Sequence, residues 1–144
     1  MVICSECEKH YIAGIWDADG SFGVTKRSGR WESFQPFALI TICDEKSSII
    51  GDLIEHEFGF KCVWSSRRDN PKWNIAYRWL LSSQKACDFA ETLHPYLRIK
   101  KERAYILMNW PKIDRHLPFA DRHPIHEKQR EFYDRMKELN KRGT

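Results

Sequence analysis

An α+β fold, with two β-hairpins alternating with helices, follows from three features of this 144-residue sequence. Apolar residues crowd together from Tyr11 to Trp16 and recur at helical spacing at Ile49, Ile50, Leu53, Ile54 and Phe58. Elsewhere the period switches to two: Phe22 and Val24 alternate with Gly23 and Thr25, and Trp73, Ile75, Tyr77, Trp79 and Leu81 share one parity. Turn residues, Ser28-Gly29 and Asp69-Asn70-Pro71, separate the strands of each pair.

The first helix is expected to run into the acidic residues Asp17 and Asp19, with Gly20 as its stop. The first hairpin then pairs a strand from Ser21 with a run from Trp31 to Ile42. There Phe34, Pro36, Ala38, Ile40 and Ile42 form the apolar parity. Pro36 predicts an edge position or a bulge, because proline donates no ladder hydrogen bond. Asp44 is placed to cap a second helix that Gly59 ends. The second hairpin spans Phe60 to Ser82; one face of its last strand is aromatic and the other, with Asn74, Ala76 and Arg78, polar and basic. Helices follow at about Gln84 to Leu93 and Lys101 to Trp110, separated by Pro95. Residues 111–126 hold three prolines and three histidines and read as a connecting loop, and Glu127 to Arg142 as an amphipathic helix with Phe132, Met136 and Leu139 on one stripe.

Composition narrows the function classes. Hydrophobic residues at 42% and aromatics at 13% describe a chain that buries a core, not a disordered one. No apolar run approaches the ~18 residues of a membrane span. The charged start of the sequence gives no sign of a signal peptide, and five cysteines without one point to reduced thiols in an intracellular, reducing setting: a bacterial or archaeal cytoplasm, or an organelle. The net charge of +4 is a mild pointer to a polyanionic partner. One domain over residues 1–144 is expected, with a core of about 8–110 and a helical extension over 111–144. Cys4 and Cys7 form a C-x-x-C, but two further zinc ligands at suitable spacing are missing. His116, His123 and His126, with Asp121, sit among prolines, where surface histidines are commoner than metal ligands.

The segment Tyr-Ile-Ala-Gly-Ile-Trp-Asp-Ala-Asp-Gly, residues 11–20, concentrates the chemistry. Acids at a helix C-terminus meet partial negative charge and cost ~0.3–1 kcal/mol each. A nearby cation reverses that sign. Ala13 and Gly14 give up packing area that only the close approach of another backbone would use.

The nine residues Ile12 to Gly20 resemble the LAGLIDADG signature of a family of homing endonucleases. The resemblance covers most of residues 8–110, and it implies an αββαββα fold with an antiparallel, DNA-binding saddle sheet. The motif occurs once, as in the family's homodimeric branch. By resemblance, two copies of the helix pack at their small residues, with Ile12, Ala13, Gly14, Trp16 and Asp17 at the dimer interface. Asp19 then meets its counterpart around Mg²⁺, or another divalent cation such as Mn²⁺ or Ca²⁺. The Ala18 carbonyl helps hold the metal, while Asp17 makes hydrogen bonds at the helix end. Pro95-x-Leu97-x-x-Lys100 resembles a second family element, whose lysine polarises solvent or stabilises phosphate charge. Relatives often carry a glutamine near the metal-bound water. This sequence has Ile42-Cys43-Asp44 there, and Lys46 is the candidate substitute.

These residue types suit phosphodiester hydrolysis, because Mg²⁺ takes one or two carboxylates and keeps several waters. A two-stranded ribbon fits the major groove and reads base edges with alternate side chains. Ser21, Gly23, Thr25, Arg27, Arg30, Ser33 and Gln35 on the first hairpin are the candidate contacts, with Arg67, Arg68, Lys72, Asn74 and Arg78 on the second. The reading is a Mg-dependent homing endonuclease that cuts a long pseudo-palindromic double-stranded DNA as a homodimer and is encoded by a mobile intron or intein-like element. The alternative is a non-cleaving nucleic-acid-binding protein of the same fold, either a maturase that binds intron RNA or a DNA-binding regulator. Asp19 and Lys100 favour cleavage.

Overall fold

The computed structural model describes residues 6–43, 48–67, 70–72 and 75–141. Helix α1 (Glu6–Asp19) leads directly into β1 (Gly20–Arg27) and β2 (Ser33–Ile42). Helix α2 (Ser48–Asp52) runs on as a π-helical turn over Leu53–Glu57. Strands β3 (Val63–Arg67) and β4 (Ala76–Ser82) follow, then α3 (Gln84–Leu93), a 3₁₀ turn (His94–Tyr96), α4 (Lys101–Met108) and α5 (Phe119–Asn140). Lys46, Arg68, Asn74, the expected cap Asp44, Trp73 and Cys4 lie outside the described residues. No described helix is long and apolar enough to cross a membrane.

The four strands form one antiparallel sheet in the order β1-β2-β4-β3. Strand parity decides its faces, as the alternation predicted. Phe22, Ala38, Ile40, Trp79 and Leu81 are buried on the helix side, while Ser21, Thr25, Ser33, Thr41 and Arg78 are exposed. Phe89 of α3 gathers the core: its ring meets Trp16 at 4.8 Å, Phe60 at 5.7 Å and Phe58 at 6.1 Å between centroids.

Three sequence expectations change. Pro36 lies in an inner strand, not at an edge or a bulge. Its carbonyl accepts the Ser83 N–H at 2.9 Å, one residue before the β2–β4 ladder begins at Phe37↔Ser82. In an antiparallel strand a residue's N–H and C=O point to the same side. The donor that proline lacks therefore points past the end of β4, and the β1–β2 bonds are untouched. Gly20 is the first residue of β1 and not a left-handed cap; among the described glycines only Gly59 has a positive φ, 77°, and it closes the second helix. Gly20 is required for another reason, since a Cβ there would run into the Trp16 ring.

The third change is at the C-terminus. Helix α5 starts at Phe119, so most of the expected loop after 118 is helical and Pro124 lies inside the helix. Interior proline removes one helical hydrogen bond, and tertiary contacts hold this turn instead. The His126 ring bonds the Glu32 carbonyl at 3.0 Å and lies against Phe34, and Arg130 pairs with Glu32 at 2.6 Å. Further along, Met136 is buried, Arg103 donates to the Leu139 carbonyl at 2.7 Å, and Asn140 donates to the Phe22 carbonyl at 3.1 Å. The stripe of Phe132, Met136 and Leu139 packs on the core as its spacing predicted.

Gly20→Ala is expected to destabilise the protein by about 1–3 kcal/mol, the usual cost of overpacking against a fixed ring. Urea unfolding of the two proteins measures it; equal midpoints would mean that the Trp16 ring moves aside freely.

Candidate nuclease site at the end of helix α1

Helix α1 divides into two faces. Ile12 and Ala13 are 0% exposed and Trp16 1%, all three packed within their own chain. Tyr11 is 54% exposed, and Cys7, Gly14 and Ala18 share its open side. A Cβ built on Gly14 meets nothing within 4 Å. The candidate dimer interface is corrected accordingly. Ile12, Ala13 and Trp16 are buried within their own chain and have no surface left for a second copy; the Trp16 ring lies against Phe22 and Phe89. Gly14 is exposed, and Tyr11 and Ala18 stand at intervals of three and four residues from it, which keeps all three on one open helix face. A continuous apolar run hides this division from the sequence.

Asp17 also faces its own chain. Its carboxylate accepts three backbone N–H groups from the turn before α4: Arg98 at 2.8 Å, Lys100 at 2.9 Å and Ile99 at 3.2 Å. The turn forms because Leu97 is extended and Lys100 stands at the start of α4, leaving successive amides without helical acceptors. Asp17 is thus a tether inside one chain, its carboxylate engaged there and not aimed at a second copy, and it makes hydrogen bonds at the helix end as expected.

The tether positions Lys100. The Lys100 ammonium donates to the Trp16 carbonyl at 2.9 Å and to the Gly20 carbonyl. It is the cation that the acidic helix end calls for. Burial, and then the charge of Arg103, push its pKa below the usual lysine range, against the opposing pull of Asp17 and Asp19. Asp19 and Ala18, both exposed, therefore lie beside Lys100 where α1 becomes β1. Among the described residues no three His, Cys, Asp or Glu side chains cluster as a metal site. Cys7 is exposed, His116 and His123 are exposed, and His126 is engaged with Glu32.

The outer face of the sheet carries the candidate nucleic-acid contacts. Thr25 stands opposite Gln35 and Arg27 opposite Ser33, and Thr41, Arg78 and Ser65 share a rung across three strands. Arg27 donates to the Gln35 side-chain oxygen at 2.6 Å, and the Gln35 amide donates to the Ser83 hydroxyl at 2.9 Å. These two side chains are held in place before any partner arrives. Arg30 is exposed in the hairpin loop and Lys72 in the second turn, while Arg67 pairs with Ala76 in the ladder. Gly23 is corrected: it is buried, and a Cβ there would strike the Phe37 ring, so it offers no contact surface. Thr41 and Ser65 belong to the same face without having been candidates, and their register alone identifies them.

Asp17→Ala is expected to lower stability by about 2 kcal/mol in urea unfolding, since three amides lose a charged acceptor. Asp17→Asn, which keeps one acceptor oxygen, should fall between it and the native protein. Equal stability of all three proteins would mean that water replaces the carboxylate at no cost.

No protein-family model matches the sequence, and no curated protein does. Solved structures do match. The homing endonuclease I-CvuI, in complex with the I-CreI target in the presence of Mg, is similar with a TM-score of 0.68 and 16% identity, over 93% of this chain and 82% of that one. The archaeal intron-encoded homing endonuclease I-Vdi141I, complexed with DNA, has a TM-score of 0.58 and 19% identity over 90% and 84% of the chains. The homing endonuclease I-TnaI has 0.57 and 20% over 92% and 95%. The I-LtrWI LAGLIDADG homing endonuclease bound to target DNA matches at 0.62 and 17%, over 91% of this chain and 46% of that one. The helix, hairpin, helix, hairpin, helix order, and the single antiparallel sheet it builds, are the LAGLIDADG homing endonuclease fold.

Proposed function

We propose that this chain is a member of the LAGLIDADG family and a site-specific DNA endonuclease that works as a homodimer, each protomer supplying one Asp19. The observation that carries the reading is the meeting of the exposed Asp19 and Ala18 with the tethered Lys100 at the end of α1. The fold similarity supports it, because the neighbours I-CvuI and I-Vdi141I were seen in complex with DNA. I-CvuI complexes with Mg and with Ca support a divalent cation as cofactor.

The donor set fits such an ion. One carboxylate per protomer plus a backbone carbonyl and solvent is an all-oxygen, hard-ligand set suited to Mg²⁺, with Mn²⁺ or Ca²⁺ in the same place. Asp19 and the Ala18 carbonyl would hold it, and when bound it supplies Lewis acidity to the phosphoryl oxygens. The chain's own residues do the rest. Lys100, fixed by two carbonyls, holds positive charge at the scissile phosphate and orients solvent through its N–H groups. The two hairpins lie along the major groove, where Arg27, Gln35 and Arg78 reach base edges and Arg30 and Lys72 reach phosphates. Homodimerisation uses the open stripe of Tyr11, Gly14 and Ala18, and its two-fold symmetry sets a pseudo-palindromic target. The host element is read as a mobile intron or intein-like insertion.

Asp19→Asn is expected to abolish cleavage while leaving duplex binding intact, and Lys100→Met to slow cleavage by about 10²-fold or more. Mobility shift and single-turnover cleavage in Mg²⁺ read the two effects separately. An Asp19→Asn protein that cuts near the native rate sinks the nuclease assignment and leaves a non-cleaving binder of DNA or intron RNA. Gly14→Leu places bulk on the open stripe of α1, so sedimentation should show a dimer converting to a monomer of unchanged helix content. A native protein that sediments as a monomer with and without DNA would contradict the shared site.

A further inference from the structure

The outer face of the sheet is polar near both ends and apolar between. Ser21 of β1, Leu39 of β2, Leu80 of β4 and Val63 of β3 form one rung across all four strands. Three of these four side chains are aliphatic, on the face away from α1 and α3. Val63 is 70% exposed, and Leu39 and Leu80 are half-buried. A sheet with one open face normally carries polar residues there, as the next rung on one side and the next but one on the other do. Thr41, Arg78 and Ser65 lie on one side; on the other, beyond Phe37 folded over Gly23, lie Thr25 and Gln35.

We propose that this aliphatic rung reads the 5-methyl group of thymine in the major groove, an inference that rests on the duplex-binding reading above. Thymine presents the one apolar group on a major-groove base edge. Leucine and valine offer no hydrogen bond, so guanine, cytosine or adenine at that point would lose water from polar edge atoms and receive no partner in return. Position supports the same occupant. Ser21 is two residues beyond Asp19 in the sequence, which puts the rung near the inner end of the half-site. Arg27, Arg30 and Ser33 belong to the outer end of the first hairpin, and Arg78 to the flanking rung. A protein partner would find this strip flanked by the exposed Arg78, whereas the polyanionic duplex matches that charge.

The test uses the full chain and a randomised duplex pool in the absence of Mg²⁺. Enriched half-sites should carry thymine at one or two inner positions. Replacing each of those thymines by deoxyuridine, which pairs identically but lacks the methyl group, should weaken binding on the order of fourfold per methyl. In a Val63→Asn/Leu80→Asn protein, with a Val63→Asn single variant alongside because Leu80 is half-buried, thymine and uracil should bind equally wherever the melting transition matches the native one. The inference is overturned if the native protein binds uracil as well as thymine at every position. It is equally overturned if the double variant keeps the native preference. Failure to enrich any duplex would remove the duplex-binding reading itself, and this inference with it.

Discussion

One carboxylate holds the candidate site together. Asp17 accepts three amides from the 98–100 turn, two of them in solvent-exposed positions. Water competition therefore keeps their joint contribution at about 2 kcal/mol, that of a single well-shielded hydrogen bond to a charged group. That outweighs the ~0.3–1 kcal/mol cost of an acid at a helix C-terminus. The tether brings Lys100 back over the same helix end, where its ammonium donates to the Trp16 and Gly20 carbonyls. The end of α1 thereby carries two acids and one cation in fixed relation, and α4 begins against it. Without Asp17 the lysine would be an ordinary surface group more than 80 residues distant in the chain.

The same tether decides which way α1 faces. With its end bound to the 98–100 turn, the side bearing Ile12, Ala13 and Trp16 is pressed onto Phe89 and Phe22, and the side bearing Tyr11, Gly14 and Ala18 stays open. Small residues on the open side leave room for a second backbone, the geometry that helices use for close approach. Under the proposed dimer, Asp19 of each protomer lies at the same end as Ala18, so an isologous contact along the stripe brings the two carboxylates toward one another.

Much of this was legible in the sequence, for reasons that differ by element. Helix α3 spans Gln84–Leu93 as its spacing and the following Pro95 indicated. The parity of β2 and β4 was legible because one face is buried and the other open. That Asp17 makes hydrogen bonds at the helix end was expected only through the resemblance to LAGLIDADG; nothing in a D-x-D spacing says which acid turns inward. Three features were not legible. Residues 12–16 are apolar without interruption, so their period carries no information about which side meets the core. Pro36 and Pro124 were read as breakers, yet the ladder end at Ser83 and the α5 contacts to Glu32 and Phe34 absorb them. Tertiary packing overrode local propensity in both cases. Gly20 and Gly23 are glycine because aromatic rings from Trp16 and Phe37 occupy the space of a Cβ, a constraint that no local pattern encodes.

Helix α5 adds a constraint on how the sheet presents itself. It ties the tip of the first hairpin through His126 and Arg130 to Glu32, and the base of β1 through Asn140 to Phe22. A two-stranded ribbon at the edge of a sheet is otherwise free to twist about its long axis. Fastened at both ends, β1 and β2 keep the Arg27–Gln35 pair and the rung at Ser21 in one fixed relation to Asp19. Sequence readout needs that rigidity, because a base contact discriminates only if its distance from the cleavage point is set in advance. Under the proposed function the extension would serve recognition mechanically, by holding the first hairpin in place.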